Sequence, residues 1–423
     1  MEKITPSQID KIVQKSIDNL KQNFRTIDGQ SGWHQHLGVN QVGNIGTAQG
    51  LLILNYFNSD FNNKYLAVEF LRQSQFKGTD NSQIDGGWSY VSNLNRIPTT
   101  ESTAWVLLGL FNEVSREDET VKNGLNWLLI NHPNTDNDKG WGSLKNDESR
   151  VYATCLVLRV LKKYDLDNTS QFQKGYNWLK QARNNDNGWG DKFGHPSTIT
   201  HTAHALIALL ECGKSKDSGL IQQGSNWLVG SFEEDKFWID IENGGLLEFM
   251  DINVVQNGNI YPHRISYYHF STPYAIIALI KAGLINLSVV FKGLDYLIQS
   301  NSHGNWEHPF LANQRIHPIW AIHDSLLAFK TFKENCNNWN ELESIILKGN
   351  SVSFKYKRID NFILNFLIRF IRNKIVWGIL VLIPISLILK YTGSIEFVEK
   401  QPILWIVIIP LLVSIIANLL TKD

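Results

Sequence analysis

Nine of the twelve histidines lie between His195 and His323, and five of these, His201, His204, His269, His317 and His323, fall on or beside three strongly apolar segments. Imidazole titrates near neutral pH and ligates divalent metals. Rings converging from those segments, with Asp324 beside the last of them, could shuttle protons or hold a divalent cation. His201 and His269 are the candidates for proton transfer. The chain contains no His-Glu-x-x-His or paired-cysteine motif, so no metal ligand set is assigned, and hydrogen-bonded structural histidines fit the same pattern. Aromatic residues form a second group, with Trp105, Tyr152, Tyr267, Tyr268, Tyr274 and Trp320 on or next to apolar segments. Their faces would stabilise a carbocation as they do an ammonium ion, line a pocket for a neutral lipid chain, or simply pack a core. A third feature is the long insertion from Phe237 to Arg264, which carries Asp240, Glu242, Glu248, Asp251 and His263. Loops of that length in compact folds often form binding edges.

The elements that must hold these residues repeat. Six Gly/Trp loops, DGQSGWH (28–34), DGGW (85–88), KGWG (139–142), NGWG (187–190), ENGG (242–245) and HGNW (303–306), recur about every 50 to 60 residues, the length of a helical hairpin with its loops. In the fifth loop Leu246 stands where the others have tryptophan. Before the loops come segments with a small-x-x-aromatic-Leu signature: Gly124/Trp127, Gly175/Trp178, Gly224/Trp227 and Gly293/Tyr296, with Ala67–Leu71 a weaker copy. Residues three apart share a helix face, so each glycine is expected to admit a neighbouring helix and each aromatic to fill the gap. After the loops come segments apolar on almost every side, 101–111, 152–161, 200–210, 271–280 and 319–329. Helices of that kind belong inside.

Alternating amphipathic and all-apolar helices predict an all-α (α/α)6 toroid of about twelve helices, inner and outer, over residues 1–345. An open solenoid would expose one side of each hairpin and need a more polar second helix. With 14 Trp, 21 Phe and 13 Tyr, the chain has the bulk to fill so large a core. Three scattered cysteines give no disulfide framework, and the N-terminus lacks the apolar core of a signal peptide.

Residues 346–423 differ, holding 10 basic and 4 acidic side chains. Residues 346–374 are expected to form a basic linker with a membrane-surface segment at Phe362–Arg372. The uncharged runs within 375–391 and 402–420 are expected to form a transmembrane hairpin. Basic residues crowd the approach to the first run, which places the toroid and both ends on the cytoplasmic side. The body carries no nucleic-acid stripe and no phosphate-cradling Gly-rich loop, so the expected partners are membrane lipid, a lipidic small molecule and a possible protein.

Lys174–Trp189 (KGYNWLKQARNNDNGW) and Lys292–Trp306 (KGLDYLIQSNSHGNW) resemble the QW repeat of squalene and terpene cyclases, with Arg183 and Asn301 in the glutamine place. The similarity extends to protein prenyltransferase β subunits and covers roughly residues 9–335. The resemblance implies an α/α toroid whose ligand cavity is lined by inner helices. Squalene cyclases place an Asp-x-Asp-Asp-Thr-Ala acid motif at one inner-helix start, and the positions aligned with it here read Thr99-Thr-Glu-Ser-Thr-Ala104 and Thr198-Ile-Thr-His-Thr-Ala203. The Thr-Ala is kept and the aspartates are absent, which leaves Glu101 as the carboxyl nearest the acid position. Either a general acid or a charge favouring the helix N-terminus would put a glutamate there. The zinc-holding Asp-x-Cys of prenyltransferases is also absent. The expected function is a membrane-anchored, terpene-cyclase-like protein that acts on or binds an isoprenoid ligand. The alternative is a non-catalytic toroid that senses a ligand or protein and acts through its membrane hairpin.

Overall fold

The computed structural model describes residues 2–77, 85–90, 97–131, 139–144, 147–233, 238, 246–256, 259–307 and 317–357, with 246–256 and 259–269 described in their backbone alone. The first half of the helices are α1 (Pro6–Gln22), α2 (Asn44–Tyr56), α3 (Lys64–Gln73), α4 (Thr100–Leu110), α5 (Glu119–Ile130) and α6 (Val151–Lys163). The rest are α7 (Ser170–Gln181), α8 (Ile199–Glu211), α9 (Gly219–Gly230), α10 (Ser271–Lys281), α11 (Ser288–Gln299) and α12 (Ile319–Asn335). Even-numbered helices pack on one another in chain order and α12 returns to α2, so they close an inner ring. Odd-numbered helices pack outside them, and α1 touches both α11 and α12, where the last repeat meets the first.

Local chemistry sets the helix limits. Thr99, Asp118, Thr169 and Thr198 accept backbone N–H groups in the first turns of α4, α5, α7 and α8, which satisfies donors a helix start leaves unpaired. Past the ends of α8 and α10 the chain turns at Gly213 (φ +90°) and Gly283 (φ +85°). The next amides reach back to Leu209 and Leu279 carbonyls at 2.9 Å each, a geometry that favours glycine. Every residue of α4 is buried, as the apolar pattern requires.

One contact is common to all six repeats. The loop tryptophan donates its indole N–H to the carbonyl of a leucine in the last turn of the preceding outer helix: Trp33 to Leu20, Trp88 to Leu71, Trp141 to Leu128, Trp189 to Leu179, Trp238 to Leu228 and Trp306 to Leu297, at 2.7–3.0 Å. Last-turn carbonyls have no partner within their helix, so each buried indole meets a real need. The fifth tryptophan is therefore Trp238, and Leu246 instead begins a strand. Trp238 escapes a Gly/Trp search because Phe237 precedes it.

The signature glycines make room for two kinds of neighbour. A Cβ on Gly124, Gly175, Gly224 or Gly293 would stand 2.3–2.9 Å from the Cζ3 atom of Trp88, Trp141, Trp189 or Trp238 respectively. Each glycine thus accommodates a loop tryptophan, and Gly124, Gly224 and Gly293 also admit the neighbouring inner helix as expected, with Leu107, Leu206 and Ile276 at 2.9–3.0 Å from the same Cβ position. The Thr-Ala pairs have a structural duty too. Thr103 and Thr202, with their equivalents Thr47 and Thr154, each accept the loop tryptophan's backbone N–H on Oγ1 at 2.8–3.1 Å.

The unit is not purely helical. β2 (Arg25–Ile27) pairs with β3 (Gln30–Gly32), β4 (His36–Leu37) with β7 (His317–Pro318), and β5 (Leu246–Gln256) with β6 (Asn259–His269), all antiparallel. A three-stranded sheet joins β1 (Glu2–Ile4), β8 (Leu342–Lys348) and β9 (Ser351–Tyr356). The first compact unit accordingly runs to Tyr356, past the expected boundary at residue 345. Ile4 and Ile345, fully or almost fully buried partners in that sheet, show why: the strand's apolar side packs onto the core. Among the described residues no helix is long and apolar enough to cross a membrane. The expected hairpin at 375–391 and 402–420, and the surface segment at 362–372, lie outside them.

Candidate functional site

Neighbouring repeats are joined by one recurring bond at the inner-helix starts. The first amide of α4 donates to Ser143 O at 2.9 Å, that of α6 to Asp191 O at 2.7 Å, and that of α12 to Gln35 O at 2.8 Å. In each case the acceptor lies two residues past the next repeat's tryptophan, and the Ile319–Gln35 bond closes the ring between its last and first repeats.

Two of these junctions add side-chain pairs. Ser143 Oγ donates to Glu101 Oε1 at 2.8 Å. Arg150, just before α6, places Nε 2.9 Å from Asp191 Oδ1. Glu101 is 3% exposed and its Oε2 has no hydrogen-bond partner. Burial pushes its carboxyl up to about 7, against the opposing pull of the Arg150 charge and of hydrogen bonds from the backbone and Ser143. Asp147, itself raised by burial, adds its charge to the same effect. The result is a carboxyl about half protonated at neutral pH. His201 stands one junction away, its Nδ1 2.8 Å from Thr198 Oγ1 and its Nε2 3.7 Å from Asp191 Oδ1.

All six inner helices contribute to a polar and aromatic cluster. Trp105 (α4) donates its indole N–H to the Tyr152 hydroxyl (α6) at 3.1 Å. Tyr152 meets His204 (α8) edge-on at 4.8 Å, and the His204 and Tyr274 (α10) rings lie 3.9 Å apart. Tyr274 donates its hydroxyl to Asp324 Oδ1 at 2.7 Å, and His323 Nδ1 donates to the same oxygen at 2.8 Å. The other ring nitrogen, His323 Nε2, lies within hydrogen-bond distance of the Tyr56 hydroxyl (α2) at 3.2 Å. The Trp105 and His323 rings meet edge-on at 5.1 Å, although α2 separates their helices in the ring. Side chains reaching past an intervening helix meet in the ring's interior, so the cluster lies there. Tyr152 feels the charge of both Asp324, in this cluster, and Glu101. Its hydroxyl is held well above the usual phenol range, chiefly by burial, with contributions from the charges of Asp324 and Glu101.

The sequence candidates thus separate. Trp105, Tyr152, His204, Tyr274, His323 and Asp324 come together in one cluster. Glu101 and His201 sit at the junctions of α4 and α8, on different helices. Trp320 is half-buried at the start of α12. His317 belongs to the β4–β7 pairing opposite Leu37, with Nδ1 unpaired. Tyr267, Tyr268 and His269 close β6 opposite Glu248, Leu247 and Leu246. Among the described residues no three His, Cys, Asp or Glu side chains gather closely enough for a metal ion. The three cysteines are separate free thiols. A convergence of His201 and His317 on one centre is not observed.

Sequence reasoning missed Tyr56, Ser143, Arg150 and Asp191. Tyr56 stands at the far end of its helix. The other three occupy recurrent places beside the loop tryptophans, a signal that aligning the six loops would have exposed. It also missed the ion pairs of Arg159 with Glu211 at 2.6 Å and of Lys281 with Glu211 at 3.0 Å. Glu211 is held below the usual carboxylate range because Arg159 and Lys281 outweigh the effect of burial.

Comparison with known proteins agrees with this architecture. The squalene-hopene cyclase C-terminal domain family matches residues 139–263. A squalene–hopene cyclase of Bradyrhizobium diazoefficiens is 21% identical over 56% of this chain and 40% of its own. A terpene cyclase–glycosyl transferase fusion protein of Humicola fuscoatra is 35% identical over 23% of this chain and 8% of its own. The chain therefore spans well under half the length of these relatives. Among solved structures, an arginine-to-alanine variant of the type II terpene cyclase MstE from Scytonema, bound to its substrate geranylgeranyl dihydroxybenzoate, superimposes with a TM-score of 0.53. That likeness covers 78% of this chain and 99% of MstE at 13% identity, and it bears on the fold alone.

Proposed function

We propose that this chain, a member of the squalene and terpene cyclase superfamily, binds an isoprenoid or similarly lipidic chain in its toroid and initiates its cyclisation with a proton from Glu101. The observation that carries the reading is the state of that carboxyl: buried, held by one hydroxyl, its second oxygen unpaired, and raised to about 7. In the proposed step the Oε2 proton passes to one alkene carbon, whose π pair becomes the new C–H bond. The cation left on the other carbon is consumed by the next double bond, which closes a ring. The last cation loses a proton to a base or captures water, and Glu101 regains its proton from solvent. Trp105 and Tyr152 supply π faces near the path of positive charge. The test is product analysis after incubation with labelled squalene and prenyl diphosphates, comparing the wild type with Glu101→Gln.

One observation favours the non-catalytic alternative. The positions aligned with the cyclase acid motif carry no aspartate. Tight binding of an isoprenoid without turnover would select this reading. We also propose that residues 375–391 and 402–420 tether the toroid to the cytoplasmic face of a membrane, where lipidic ligands concentrate. Release of the protein from membranes by alkaline carbonate would refute the tether.

A further inference from the structure

We propose that the C-terminal turns of the inner helices hold an anion site, built on Arg159, Lys281 and Lys330, for the phosphate or diphosphate head of a small molecule. Glu101, in the first turn of α4, takes no part in it, so the site stands independently of the proton-donor reading. The aromatic and polar cluster gives its place. Tyr152, His204, Tyr274 and His323 are each followed seven residues later by a charged side chain, Arg159, Glu211, Lys281 and Lys330 respectively. A spacing of seven returns a helix to nearly the same face, about 10 Å further along its axis. The cluster lies in the ring's interior, so these charges share that side. Contacts join them into a second layer. Arg159 Nε is 2.6 Å from Glu211 Oε2 and Lys281 Nζ is 3.0 Å from Glu211 Oε1, so α6, α8 and α10 meet again two turns on. Tyr56 spans both layers, with its hydroxyl 3.2 Å from His323 Nε2 and its ring centre 5.7 Å from Lys330 Nζ.

The charges of this layer do not balance. One carboxylate, Glu211, answers both Arg159 and Lys281, and Lys330 pairs only with the exposed Glu334 of its own helix. The Arg159 side chain is only 12% exposed, and a cation so nearly buried calls for full compensation. Glu211 engages its Nε alone, which leaves both Nη groups without a protein partner among the described residues. A planar guanidinium with a free edge, set beside an ammonium group, suits the several oxygens of a phosphate. Glu211 itself shows that the place accepts an oxyanion. It is the last residue of α8, where the helix dipole disfavours negative charge. Burial also opposes its ionisation, yet Arg159 and Lys281 hold it below the usual carboxylate range.

The test is calorimetric titration of the full-length protein with inorganic diphosphate, farnesyl diphosphate and farnesol. The wild type should bind diphosphate, and Arg159→Gln and Lys281→Gln should each weaken that binding about ten- to a hundredfold, the worth of one charged hydrogen bond. Glu211→Gln should tighten it, because it removes the carboxylate that competes for the same two cations. Farnesyl diphosphate binding more tightly than both diphosphate and farnesol would assign the head to an isoprenoid; equal affinity for the two diphosphates would assign it to a free anion, and either result supports the site. No binding of either diphosphate by the wild type overturns the proposal, leaving the cations to serve the helix C-termini alone. Unchanged affinity in both Arg159→Gln and Lys281→Gln overturns it as well. Should those variants fail to fold, Glu211→Gln decides: affinity no tighter than that of the wild type overturns it. Glu101→Gln should bind diphosphate as the wild type does, so absence of turnover would sink the cyclase reading and leave this site standing.

Discussion

Ser143 donates its hydroxyl to Glu101 across the boundary between the second and third repeats, at 2.8 Å, while the other carboxyl oxygen has no partner. A carboxylate in that position would want two or more donors, whereas a carboxylic acid is content with fewer. The loop placing Ser143 is the one that staples Trp141, so the repeat's scaffolding contact and the acid's environment are parts of one junction.

The raised carboxyl makes stability depend on pH. Glu101 binds its proton more tightly folded than unfolded, so the protein is favoured below the unfolded value of 4.5 and loses that advantage as pH rises through about 7. The loss should be at most about 3 kcal/mol, from ~1.4 kcal/mol for each tenfold difference in proton affinity between the folded and unfolded chain. Denaturation midpoints measured from pH 4.5 to 8 should show this fall in the wild type and a flatter curve in Glu101→Gln.

Gly175 faces the Trp141 ring, where an added Cβ would meet Cζ3 at 2.3 Å. Gly175→Ala should cost about 1–3 kcal/mol through overpacking, in spite of alanine's better helix propensity. The control is Gly219→Ala in α9, where nothing lies within 4 Å and the change should be neutral or stabilising. Urea denaturation of both variants checks the pair.

Trp238 is fully buried and repeats the contact of Trp189. Trp238→Ala and Trp189→Ala should therefore destabilise alike, each by about 3–5 kcal/mol. A Trp238 variant with near wild-type stability would show that the fifth repeat is not stapled as the others are.

Asp324 takes two donors on one oxygen among the inner helices. Asp324→Ala strands the Tyr274 hydroxyl and the His323 N–H, so it should cost roughly 3–5 kcal/mol, as expected for a broken buried charged network. Asp324→Asn should cost less. Thermal denaturation of the two variants measures the difference.

The toroid was legible because its signals repeat. Gly/Trp loops and wholly apolar helices recur in register, and periodicity survives the loss of any single copy. The fifth copy misled because its tryptophan lies next to Phe237, outside the Gly/Trp pattern, while its function depends on a hydrogen bond to Leu228. Trp105, Tyr152, His204, Tyr274 and His323 were recognisable as inward-facing because their helices are apolar all round. Their partners across the ring were not, since contacts such as Trp105 with His323 depend on helix rotation. Arg150 and Asp191 look like ordinary loop charges in the sequence. Only the junction between repeats brings them to 2.9 Å.

The central claim, that Glu101 delivers a proton to an alkene, is tested most directly by running the reaction in deuterium oxide. Labelled squalene and prenyl diphosphates are incubated with the full-length protein, and the products are analysed by mass spectrometry. Cyclised product should carry one deuterium at the carbon protonated first, and none should form with a Glu101→Gln variant that retains its fold and isoprenoid binding. Equal product from wild type and Glu101→Gln, or product without solvent deuterium, would contradict the claim.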